Sequence, residues 1–84
     1  MTGEHAGDPR MLIEQVAKSI VDAPDQVMVE AVEEDGEHIL ELKVAEADLG
    51  RVIGKSGRTA RALRALLSVA AMKLHKHYTL EILE

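Results

Sequence analysis

An α+β domain with the element order α-β-β-α-α-β is what this 84-residue chain predicts, on three observations. Apolar residues recur at helical spacing in two blocks, near residues 9–22 and 58–76. Between them, Asp35-Gly36, a preferred pair for a two-residue type I′ turn, separates two segments of alternating apolar and polar side chains. A third alternating segment, YTLEIL at 78–83, follows the second helical block. With a short helical turn before that block, these elements make a three-stranded mixed sheet packed against three helices.

Residues 1–8, with Gly3 and Gly7 and no periodicity, are expected to form a flexible lead-in to a single domain over 9–84. Asp8 before Pro9 is an N-cap followed by the residue that best tolerates the first helical position, and Leu12, Ile13, Val16, Ala17 and Ile20 share one face. The spacing predicts a helix over 9–22, stopped by Pro24. For the segments 26–34 and 37–45, the Asp35-Gly36 turn sets Val27 opposite Val44, Val29 opposite Leu42 and Ala31 opposite Leu40. All six fall on one face. The other face pairs Glu30 with Glu41, a like-charge contact tolerable only in solvent.

Asp48 is placed to cap a short helical turn in which Leu49, Val52 and Ile53 share a side. Over 58–76, a helical pitch puts Ala60, Leu63, Leu66, Leu67, Ala70 and Leu74 on a buried arc, with Arg58, Arg61, Arg64 and Lys76 opposite. A strand, two helices and a strand then form a crossover that makes the second and last strands parallel neighbours.

Composition excludes several function classes. Tyr78 is the only aromatic residue, so bases have no aromatic platform on which to stack. The absence of cysteine removes disulfides and thiolate metal sites and fits a reducing compartment. MTGEHAGDPR lacks a basic start and an apolar segment, and the longest apolar run, 69–72, is far too short to span a bilayer. A cytoplasmic protein without a membrane partner is expected.

Net charge is −5, which by itself disfavours a nucleic-acid partner. Its distribution reverses that inference. Residues 49–80 contain no acid but seven of the ten Lys and Arg, whereas the acids crowd 22–48. A chain so divided can present one basic face while remaining acidic in total.

The centre of the basic stretch is Gly54-Lys55-Ser56-Gly57, preceded by Gly50. An ATP-binding P-loop needs four residues between its first glycine and Gly-Lys-Ser, and here only Arg51, Val52 and Ile53 intervene. No nucleotide cofactor is therefore expected. Two glycines bounding a four-residue loop instead let a phosphodiester approach backbone N–H groups at the start of the following helix. Lys55, Arg58 and Arg61 sit where cations oppose the helix dipole, at a cost of about 0.3–1 kcal/mol each, an arrangement that an anionic partner would offset.

RVIGKSGRTARALRALL, set within this element order, resembles the K-homology (KH) domain, and the additional N-terminal α-β unit is similar to the type II arrangement. Over residues 9–84 the chain resembles the small bacterial single-KH RNA-binding proteins of the KhpA type. The resemblance implies that Gly54 and Gly57 shape a loop clamping about four nucleotides of single-stranded RNA, with Lys55 and Ser56 facing the backbone. It also implies that Val52 and Ile53 line an apolar groove for bases. Arg51, Arg58 and Arg61 complete the expected RNA-binding set, and an RNA chaperone or post-transcriptional regulator is the implied role. A partner in the form of a second copy or another KH protein is implied as well.

No catalytic, metal-binding or cofactor-binding residues are expected, and the chain is not expected to be an enzyme. Ser56 has no nearby His and acid partner, and His75 and His77, two apart, would diverge on a helix. A protein-interaction module in which the glycine loop is only a tight turn is one alternative. A ribosome-assembly factor with a KH-like fold is another, although such factors typically alter the loop that this chain retains. On the long helix, Ala62, Ala65, Val69 and Met72 are spaced as a short coiled-coil seam, predicting a symmetric dimer with these helices antiparallel.

Overall fold

Asp8 starts the first helix as its position before Pro9 predicts, its Oδ1 accepting from the N–H groups of Arg10 at 3.0 Å and Met11 at 3.4 Å. The computed structural model describes residues 8–84; apart from Asp8, the lead-in expected over 1–8 lies outside the described residues. Helix α1 spans Pro9–Ile20 and buries Ile13 and Ala17. On its outer side Glu14 bridges Arg10 and Lys18, each at 2.9 Å, and the hydrogen bond from Lys18 is the first cause holding the Glu14 carboxyl below the usual carboxylate range. The helix stops two residues earlier than predicted. Val21 is already extended, and the N–H groups of Asp22 and Ala23 donate to Asp48, at 3.1 and 3.0 Å.

Strands β1 (Met28–Glu34) and β2 (Glu37–Lys43) form the expected hairpin, with Val29 facing Leu42, Glu30 facing Glu41 and Ala31 facing Leu40. Asp35 and Gly36 both take positive φ, as a type I′ turn requires. The ladder is shorter than predicted at its open end, where Val27 and Val44 are buried just beyond it. Ala31, expected on the buried face, is exposed on the edge strand β1, although Leu40 opposite it is fully enclosed.

After a helical turn over Glu46–Asp48 come α2 (Leu49–Ile53), a second tight turn over Lys55–Gly57, and α3 (Arg58–Lys73). Strand β3 (Tyr78–Ile82) returns to pair with β2 in parallel, so the sheet order is β1-β2-β3 with one antiparallel and one parallel junction. Tyr78 stacks on His38 across that junction, their rings 4.8 Å apart. Ile13 and Ala17 of α1, Val52 of α2, and Leu63 and Leu67 of α3 close over Val29, Leu40, Leu42 and Leu80 of the sheet. All three helices thus lie on one side of the sheet.

The long helix ends at Lys73 rather than Lys76. The N–H of His75 donates to Met72 O and that of Lys76 to Ala71 O, both at 3.0 Å, with His75 left-handed at φ 57°. That pair of bonds is a Schellman stop with histidine where glycine is usual. Its buried arc is Ala60, Leu63, Leu67, Ala70 and Ala71. Two residues placed on that arc fall outside it: Leu66 is 41% exposed, and Leu74, past the helix end, is half-buried.

Candidate nucleic-acid interface

Gly54 ends α2 with φ 77° and ψ 168°, a conformation essentially restricted to glycine, while its N–H donates to Gly50 O at 2.8 Å. A side chain here has no room, because a Cβ would lie 2.7 Å from the Thr59 backbone nitrogen and also collide with the Thr59 side chain. Gly57 is left-handed at φ 74° and opens α3, but a Cβ there would meet only Arg61 Nη1, at 3.7 Å. Between them Ser56 also adopts a left-handed conformation, φ 57° and ψ 25°. Three left-handed residues in four turn the chain back sharply enough to aim the loop outward. The Gly57 N–H closes the turn onto Gly54 O at 3.1 Å, whereas those of Lys55 and Ser56 take no carbonyl among the described residues.

This loop begins the 16-residue α3, and no side chain caps that helix. Its first N–H, that of Arg58, bonds back to Lys55 O, and the helix dipole at this end favours an anion. Lys55, Arg58, Arg61 and Arg64 are all exposed, and no carboxylate among the described residues pairs with them. Four uncommitted cations beside open N–H groups make a site suited to phosphate.

The remaining predicted residues divide. Arg51 is exposed but committed, its Nη2 3.0 Å from Asp22 Oδ2 and its Nε 3.6 Å from Asp48 Oδ1. Asp48 does not cap α2 as expected. Its carboxylate, 2% exposed, reaches back to the chain leaving α1 and joins that turn to α2 through Arg51. Val52 is fully enclosed in the core and so supports the loop from beneath; a base cannot reach it. Ile53, half-buried beside Gly54, can be reached.

A feature that the sequence pattern did not mark lies one turn before Ile53. Leu49 borders an open depression of about 590 Å³ where β2 and β3 finish, with Val44 and Leu83 on its apolar side and Lys43, Glu46 and Glu84 around it. Residues 62, 65, 69 and 72, the expected seam, are all exposed on α3, away from the core.

The sequence profile of the family described as KhpA/KhpB, KH domain, matches residues 10–82. The chain is 49% identical over 74 residues to the RNA-binding protein KhpA of Clostridium acetobutylicum, covering 88% of this chain and 99% of that protein. It is 44% identical over 78 residues to KhpA of Borreliella burgdorferi, covering 93% of this chain and 95% of that one. Among solved structures, Aquifex aeolicus Era bound to GDP and aluminium fluoride superposes with a TM-score of 0.62 at 17% identity, over 88% of this chain and 29% of that chain. Era in complex with MgGDPNP and a segment of 16S ribosomal RNA gives a TM-score of 0.60 at the same identity, over 88% of this chain and 28% of that chain.

Proposed function

The chain belongs to the KhpA/KhpB KH-domain family, and on that premise we propose that it binds single-stranded RNA by its phosphate backbone at the 54–57 loop. The observation that carries this is the loop's geometry: two exposed N–H groups without carbonyl partners, at the head of an uncapped helix, ringed by Lys55, Arg58 and Arg61. Relatives covering most of the chain are named RNA-binding proteins. Ile53 offers an apolar surface beside the clamp, and Arg51 acts through the loop's foundation rather than by direct contact. The chain works as a binding module rather than an enzyme, in the cytoplasm, as an RNA chaperone or post-transcriptional regulator. No helix among the described residues is long and apolar enough to cross a membrane.

Replacing Lys55 and Ser56 together by Asp tests the clamp. Two carboxylates would repel phosphate and compete for the free N–H groups, while near a helix N-terminus they favour folding. RNA binding is expected to vanish in a gel-shift assay with the melting temperature held or raised. Retained binding would move the site elsewhere. With about three phosphates neutralised, the logarithmic salt slope should lie near −2, so a fourfold rise in salt weakens wild-type binding by roughly 15–20 times.

The outer face of α3 supports a second component of this function, self-association. Val69 is 58% and Met72 70% exposed, and Ala62 and Ala65 beside them are small enough to admit a second helix closely. Two copies packed antiparallel across a two-fold axis, or one copy with another KH protein, would cover this strip and leave both loops free.

A further inference from the structure

We propose that the outer edge of β1 is a docking site for an extended basic segment of another protein, which adds to the three-stranded sheet as a fourth strand. The order β1-β2-β3 leaves β1 a neighbour on one side only, and the register decides which backbone groups its other side presents. Val29 O is met by Arg10 Nη1 at 3.4 Å, while Leu42 O, on the residue facing Val29, accepts from the Leu83 N–H at 2.9 Å. The two members of this pair therefore turn their backbone groups away from each other, and in an antiparallel ladder every second pair does the same. Ala31 and Glu33 thus direct both N–H and C=O outward, and no group among the described residues takes them.

Edge strands are commonly protected by lysine, proline, a bulge or a covering element. β1 runs for seven residues, MVEAVEE, in unbroken register with neither Lys nor Pro, and Arg10 closes only the Val29 carbonyl. Charge selects the occupant. Glu30, Glu33 and Glu34 are all exposed, and among the described residues only His38, 4.0 Å from Glu33, stands near any of them as a cation when protonated. A second copy would set three carboxylates against the same three, in a chain of net charge −5, and RNA is repelled by the same groups. A strand bearing Lys or Arg is drawn in. Alternation refines the match: Met28, Glu30, Val32 and Glu34 share the helix-free side of the sheet, so the complementary strand alternates apolar and basic residues there. Helix α1 packs on β1, whereas α3, which carries the 54–57 loop, packs on β3 at the opposite edge. A strand added to β1 leaves the loop free, and the domain can hold a basic protein and another ligand together.

The probe is a fluorescein-labelled heptapeptide written to the antiparallel register, Lys-Lys-Val-Thr-Lys-Thr-Leu. Its lysines face Glu34, Glu33 and Glu30, and its Val and Leu face Val32 and Met28. Anisotropy with the full chain is expected to show saturable binding. Methylating the two threonine nitrogens, which face the edge, should weaken it about tenfold or more, whereas methylating the nitrogens of the valine and the third lysine, which face away, should leave it within about twofold. Ala31→Pro removes an outward N–H and no ladder bond, at a position where an edge strand admits proline, and should weaken binding to the same degree. The methylated peptides keep the proposal testable if that variant fails to fold. In hydrogen exchange followed by NMR, the Ala31 and Glu33 amides should slow when the unmethylated peptide is bound. Absence of saturable binding overturns the proposal. Equal effects of the two methylation patterns also overturn it, since charge attraction alone would then hold the peptide. So does a single-stranded RNA octamer that slows the same two amides, which would give the edge to nucleic acid.

Discussion

Gly54 and Gly57 bracket the same loop yet are required for different reasons. Gly54 is restricted twice, by a backbone conformation closed to other residues and by the Thr59 backbone pressed against the place where a Cβ would stand. Gly57 is restricted only by its φ. Gly54→Ala is therefore expected to cost about 3 kcal/mol or more, and Gly57→Ala about 1–2 kcal/mol. Urea denaturation of the two variants measures the difference, and equal losses would mean that Thr59 moves aside freely. The importance of both glycines was legible from spacing alone. The two-residue distinction between Val52 and Ile53 was not, because which side of a five-residue helix faces inward is decided by how α1 and α3 dock. Nor was the role of Asp48, whose partners lie 25 and 26 residues earlier in the chain.

At the scale of elements, the hairpin was legible in full register because turn chemistry and alternation are both local and agree. The end of α3 was hidden for the complementary reason: a histidine, not a glycine, takes the left-handed position, so composition carried no stop signal. The register has a further result on the helix-free face of the sheet. Glu41 stands directly between Glu30 on β1 and Glu81 on β3, three carboxylates in one row. Opposed like charges destabilise by about 0.2–1 kcal/mol per pair. Glu41→Gln should remove both oppositions and raise the melting temperature by roughly 4–8 °C for each kcal/mol recovered. Calorimetry at low salt and at 1 M salt checks the origin, since screening at about 3 Å should erase most of the gain. A gain that persists at high salt would point to packing instead.

For the whole molecule, the sheet's free face and the α3 face carry opposite charge. The acidic face repels phosphate and the basic one attracts it, and the apolar strip on α3 lies beside those basic side chains. Val69→Glu would place unpaired charges in an α3–α3 seam and is expected to convert a dimer to monomer. Light scattering coupled to gel filtration at tens of micromolar reads the outcome. A monomeric wild type rules out the stable dimer, and a dimer indifferent to Val69→Glu places the contact on another face.

The parallel junction between β2 and β3 also bears on how the protein comes into being. Chains are made from the N-terminus, and β2 leaves the ribosome well before the strand it must pair with, separated from it by α2, the loop and all of α3. Until Leu80 arrives, Leu40 and Leu42 lack one flank of their core, and one edge of β2 has no hydrogen-bonding partner. The hairpin and α3 can form on the nascent chain, but the domain closes only when nearly all of it has been synthesised. In that interval the open edge of β2 is a place for holdase chaperones to bind or for neighbouring nascent chains to pair wrongly.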